Sequence, residues 1–167
     1  MPYATASIAN AILNKAAEDG SKISPLKLQK LLYYACGYFQ AAYKEPLIDH
    51  TFEAWDYGPV VPPIYHQFKK FGLKPITEPA LAYDPAWEIM GPAPIPTSDK
   101  RVEKVIDFVW RTYGKFSALQ LSDMTHAPNS PWDRARKDHP GMRGVDIPAA
   151  YLEEYFGKFV RKPNAAG

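Results

Sequence analysis

Apolar residues recur at helical spacing through most of this chain. Ile8, Ile12, Leu13 and Ala16 share one face of a segment over residues 5–18. Thr5 reads as its N-cap, and Gly20 stands where a C-terminal stop belongs. The clearest helix opens at Ser24-Pro25, a capping hydroxyl followed by a proline whose missing N–H costs nothing in the first turn. Leu28, Leu31, Leu32, Ala35, Phe39 and Ala42 then keep the helical period, so that stripe is expected in the core. The same spacing puts Tyr33 and Gly37 opposite the stripe, beside Lys30 and Gln40. Tyr33 is therefore expected on the outer face, either packed under a loop or used for binding.

The period then changes from helix to strand. Phe52 and Ala54 alternate with Glu53 and Trp55, which predicts a short strand over residues 51–57. Gly58-Pro59 ends it, because Pro cannot donate to a ladder. Ile64, Tyr65, Phe68 and Phe71 predict a short helix stopped at Gly72. Residues 73–97 carry six prolines, which excludes a long helix; residues 87–90 are the one stretch there that could pair as a second strand. Ser98 or Asp99 caps a helix with Val102, Val105, Ile106, Val109 and Tyr113 on its buried face. Ser117-Ala118-Leu119-Gln120 has the form of a capping box, with a helix reaching about His126. Ser130-Pro131-Trp132 opens another short helix. Pro148 opens the last, with Leu152, Tyr155, Phe156 and Phe159 on one face. The tail from Lys162 is expected to fray.

The sum is a mainly α fold of six or seven helices with a small two-stranded β element. It reads as a single domain over residues 1–167, with its core at about 5–160. The 167 residues are enough to bury a core, and 46% apolar with 23% charged residues is ordinary for a globular chain. A net charge of +2 leaves no electrostatic footprint for nucleic acid or a membrane surface. No run of about 20 apolar residues spans a bilayer, and residues 1–17 lack the form of a signal peptide. The single cysteine, Cys36, forms no internal disulfide and reads as a small apolar helix residue, so a cytoplasmic location is expected.

The chemistry of enzymes finds little support. His50, His66, His126 and His139 are widely spread, and no pair of His or Cys has metal-ligand spacing, so no metal or cofactor is expected. Gly-x-Ser-x-Gly is absent. Gly141 and Gly144 are too few for a phosphate loop. Glu53, Asp123 and His126 remain as the carriers of a small hydrolase, should they share a cleft. Asp123 and His126 lie three apart on one helix turn, the spacing of a helix-end hydrogen bond. Short basic clusters at Lys69-Lys70, Lys100-Arg101 and Arg134 to Lys137 keep a DNA-binding autoregulator open as a second alternative.

Aromatic residues are abundant, at 14% of the chain, and two groups stand outside core periodicity. One is Trp55, Tyr57 and Tyr65 around Gly58-Pro59; the other is Trp132 after Thr125-His126. Such rings either stitch loops to a core or form a binding surface with much contact area for little lost entropy. The runs Leu28-Gln29-Lys30-Leu31-Leu32-Tyr33-Tyr34-Ala35, residues 52–62 with Tyr65, and Thr125-His126 with Pro131-Trp132 together resemble the Panacea, or SocA-like, domain family, which is related to phage-associated GepA-like proteins. The resemblance covers roughly residues 5–160. It implies a bacterial or phage antitoxin with no catalytic activity, whose partner is a cognate toxin neutralised by direct contact. For the SocA branch it implies a proteolytic adaptor that presents the toxin to ClpXP. The expected partner-binding residues are Trp55, Tyr57, Gly58, Pro59, Tyr65, Trp132 and Tyr33.

Overall fold

In the computed structural model, which describes residues 1–160, helix α2 (Pro25–Tyr43) is the axis around which the chain folds. Helices α1 (Thr5–Glu18), α4 (Lys100–Tyr113), α5 (Ala118–Thr125) and α7 (Ala149–Gly157) all pack on it. Being covered from several sides, α2 buries 13 of its 19 residues. The predicted stripe of Leu28, Leu31, Leu32, Ala35 and Phe39 is buried, whereas Ala42 at its end is exposed.

The opposite face of α2 is buried as well, which corrects the outer-face placement of Tyr33. Its ring is 1% exposed and lies edge-on to Phe52 and to Phe156 of α7, with centroids 5.6 and 5.5 Å away. Gly37, one turn on, makes this approach possible: a Cβ there would stand 2.2 Å from Cε2 of Phe156.

The helix ends follow local chemistry. Ser24 Oγ accepts from the backbone N–H of Lys27, and Pro25 occupies the first turn. Ser117 and Gln120 form the reciprocal capping box. Helix α6 (Pro131–Asp138) starts from Ser130, whose hydroxyl oxygen accepts from the N–H of Asp133. Helix α1 has the predicted bounds but a different cap. Ala4 holds the N-cap position, and Asp49 Oδ1 accepts from the Thr5 N–H at 3.0 Å and from the Thr5 hydroxyl at 2.8 Å. A carboxylate from a distant loop thus does what a local hydroxyl was expected to do. Helix α3 (Pro62–Phe68) runs into a single 3-10 turn, Lys69–Phe71. Phe159 falls beyond the end of α7 and is exposed, so it does not extend that helix's buried face. With these, the described residues contain seven α-helices.

Strands β1 (Glu53–Trp55) and β2 (Gly58–Val60) pair as a hairpin, with Trp55 opposite Gly58, which corrects the expectation that Gly58-Pro59 ends the pairing: β2 is an edge strand, where a proline is tolerated. Strands β3 (Leu81–Asp84) and β4 (Ile89–Pro92) pair separately inside the Pro-rich insert, with Trp87 in their turn. The side-chain amide of Asn10 ties down the base of that hairpin. It donates to the carbonyls of Ala80 and Ala93 and accepts from the Ala80 N–H. Strand β5 (Val145–Asp146) adds a third strand beside β1, in the order β2-β1-β5. The tail from Lys162 lies outside the described residues.

Candidate functional site

The β1–β2 hairpin carries most of the predicted site, and its inner face is fully engaged. Phe52 and Ala54 point into the core at 2% and 0% exposure, while Glu53 and Trp55 are half-buried on the other side. Side chains from three helices then bond to the hairpin backbone. Gln29 of α2 accepts from the Val61 N–H at 2.9 Å and donates to its carbonyl at 3.1 Å. Lys30 donates to the Pro59 carbonyl at 2.8 Å. From α5, Ser122 Oγ donates to the Tyr57 carbonyl at 2.5 Å, and Thr125 donates to the Ser122 carbonyl. From α6, the Trp132 indole donates to the Trp55 carbonyl at 2.7 Å, and Arg136 reaches the Ala54 carbonyl and Asp56.

The turn itself has little room. Gly58 adopts φ +108, a region that L side chains rarely enter, and a Cβ there would stand 2.6 Å from Thr125 Oγ1 and 3.1 Å from Lys30 Nζ. Lys30 is fully buried beneath this turn, and desolvation lowers its pKa to about 7. Burial also lowers the pKa of His126, with the Lys30 charge adding to the effect.

Held this way, the hairpin turns Trp55 and Tyr57 outward. Tyr65 of α3 packs edge-on to Trp55, with ring centroids 4.8 Å apart. The three rings line an open groove of about 670 Å³. Pro25, Leu26 and Val60 add apolar lining, and Leu73 stands at the α3 end. Tyr57 is 67% exposed and Leu73 93% exposed, so the groove displays apolar surface that the fold itself leaves uncovered.

The expected site residues therefore divide. Trp55, Tyr57 and Tyr65 meet in the groove. Gly58 and Pro59 are buried below it. Trp132 stands behind the hairpin, its ring stacked on His126 at 4.1 Å, and lies outside the groove lining. Tyr33 is in the core, where it reaches no surface. Sequence reasoning did not pick out Gln29 and Lys30, which support the turn, nor Leu26 and Leu73, which extend the apolar lining. A lysine sharing a helix face with Tyr33 and Gly37 was the available signal for a buried Lys30, since a mid-helix glycine marks close packing on that face.

A family profile described as Antitoxin SocA-like, Panacea domain, matches residues 28–133. The chain belongs to the SocA-like, Panacea-domain antitoxin family. The matched span opens in α2 just before Gln29 and Lys30 and closes in α6 just after Trp132. It thus contains the hairpin and all of its helical supports except Arg136. Antitoxin SocA of Caulobacter vibrioides (strain NA1000 / CB15N) is 40% identical over 129 residues, which cover 75% of this chain and 66% of that protein's length. No solved structure matches the chain.

For this member of the SocA-like family, the two alternative readings of the sequence gain little from the geometry. Glu53 lines the groove, but Asp123 and His126 lie outside its lining. Glu53 Oε1 accepts the Trp55 indole N–H at 3.0 Å. His126 meets Asp123 through a backbone N–H to carbonyl bond. The basic clusters are largely neutralised where they stand. Lys70 pairs with Glu78, Lys100 with Glu103, Arg101 with Glu45 and Asp99, Arg134 with Glu154, Arg136 with Asp56, and Lys137 with Asp133. Cations committed this way make a weak phosphate-binding surface. No helix among the described residues is long and apolar enough to cross a membrane.

Proposed function

We propose that this chain is the antitoxin of a toxin–antitoxin pair and neutralises its toxin by direct contact through the groove of Trp55, Tyr57 and Tyr65. One observation carries the proposal: an aromatic and apolar groove stands exposed on a turn that three helices fix in place. A rigid surface loses little entropy on binding, and clustered Trp and Tyr are the residues that dominate contact energies. In this reading Lys30, Gly58, Pro59 and Trp132 support the surface without touching the toxin. The adaptor step that the family resemblance implies belongs to the same proposal: the toxin held in the groove is presented to ClpXP. Binding comes first in either case, and the test separates the two.

The test is a pull-down of the tagged chain from its native cells with the protease inactivated. The proposal expects one stoichiometric small protein, encoded beside this chain and toxic when expressed alone. Co-purification of the protease only in the presence of that protein supports delivery. Enriched DNA or a bound metabolite without a protein partner contradicts the proposal.

A further inference from the structure

The charges around the groove are unequal in their commitments. Its lining holds two carboxylates and two cations. Both carboxylates are engaged: Glu53 accepts the Trp55 indole N–H at 3.0 Å, and Asp56 accepts from the Arg136 guanidinium at 3.1 Å. The cations are Lys69 and Arg143, both exposed, and neither side chain has an ion pair or hydrogen bond among the described residues. Their neighbours differ in this respect, since Lys70 and Arg136 each meet a carboxylate.

The two cations also stand at different parts of the groove. Lys69 follows Tyr65 by one turn, beside Leu73 at the α3 end. Arg143 precedes Gly144, whose Cβ position lies 3.1 Å from Glu53 Oε1 and 3.9 Å from the Trp55 indole nitrogen. Between them lies the apolar and aromatic lining.

We infer that the groove takes an acidic-apolar segment of its protein partner, with bulky apolar side chains seated among Trp55, Tyr57 and Leu73 and flanking carboxylates on Lys69 and Arg143. The inference rests on the groove being the toxin-binding surface. Charge complementarity argues for it: a carboxylate meets two cations that have no ion pair among the described residues, while a lysine or arginine meets the one carboxylate of Glu53, already bonded to the Trp55 indole, since Asp56 is paired with Arg136. Such pairs at an open rim set specificity and association rate more than total affinity, and salt screens them.

The probes are three short fluorescein-labelled peptides with a common Leu-Trp-Leu centre, flanked by Asp, Asn or Lys. Fluorescence polarisation at low salt should show the Asp-flanked peptide binding about fivefold tighter than the Asn-flanked one, with the Lys-flanked peptide weakest. The margin should vanish at high salt and invert, with the Lys-flanked peptide tightest, in the double variant Lys69→Glu, Arg143→Glu, whose exposed side chains leave folding intact. Equal binding of all three, no binding of any, or a margin that survives the double reversal overturns the inference. Neutralisation of the co-expressed toxin by a Tyr57→Ser, Leu73→Ser variant separates the two readings. If that variant fails to neutralise while the peptides show no charge preference, the groove stands and only its acidic preference falls. If it neutralises as the wild type does, the groove reading itself falls.

Discussion

Trp132 donates its indole N–H to the carbonyl of Trp55 at 2.7 Å, tying α6 to β1 across 77 positions of the chain. This bond fixes the strand from behind, while the Trp55 ring faces the groove in front. Trp132→Phe keeps an aromatic ring against His126 but leaves that carbonyl without its donor. Loss of a part-buried bond of this kind costs about 1–3 kcal/mol. Urea unfolding should show a lower midpoint at an unchanged slope. Toxin affinity should fall less than after a change at Trp55 or Tyr57, because Trp132 lies outside the lining.

The buried Lys30 gives the fold a pH dependence of definite sign. Its pKa is lowered from 10.5 to about 7 by desolvation, so between these values the unfolded chain holds more proton there than the folded one. Stability therefore rises as pH climbs through that window and falls as pH descends through it; below it both states are protonated and this contribution is constant. His126, also lowered by burial, adds the same sign below its ordinary value. Lys30→Met removes the effect. The stability difference, wild type minus variant, should grow from pH 7 to about 10. A difference that stays flat across the window excludes this account of Lys30.

At Gly37 two effects oppose each other. Alanine gains about 1 kcal/mol over glycine in a helix interior. Its Cβ would stand 2.2 Å from the Phe156 ring, however, and that ring is confined by Tyr33, Tyr34 and Tyr38. Overpacking of a tight core costs about 1–3 kcal/mol. The clash should win, and Gly37→Ala should lower the thermal midpoint.

Tyr33 offers the reverse case. Its hydroxyl is buried with no hydrogen-bond partner among the described residues. Tyr33→Phe keeps the ring contacts and removes a polar group whose burial costs about 1–3 kcal/mol when unpaired. The variant should be at least as stable as the wild type by urea unfolding, with toxin binding unchanged. Weakened binding would return Tyr33 to the site from which its burial removes it.

Legibility in the sequence followed the range of the interactions. The bounds of α1, the Ser24-Pro25 start and the Ser117–Gln120 capping box rest on neighbours in sequence, and all three were readable. The Asp49 cap of Thr5 was not, because the partner lies 44 positions away. Strand β5 is two residues long, too short for any alternation, and exists because β1 offers it an edge. The β3–β4 hairpin was hidden by prolines except near residues 87–90. For α2, the apolar stripe marked one buried face. The stripe alone does not show that α5, α7 and the hairpin cover the other, so it puts Tyr33 outside; the mid-helix Gly37 is the one sign of close packing on the face of Tyr33 and Lys30. In the site, the aromatic group at Trp55, Tyr57 and Tyr65 was visible as rings without helical period. Trp132 belonged with them in sequence pattern but serves on the far side of the strand.

The most direct test of the groove is the affinity of the toxin for the Tyr57→Ser, Leu73→Ser variant, measured by calorimetry beside the wild type. Both side chains are exposed, at 67% and 93%, so the thermal midpoint should stay where it is. Truncating a hot-spot aromatic such as Tyr57 costs about 2 kcal/mol or more, and the loss of Leu73 at the α3 end adds to it, so affinity should fall by roughly thirtyfold or more. A variant that folds normally and binds the toxin as tightly as the wild type would show that the toxin is held by another surface.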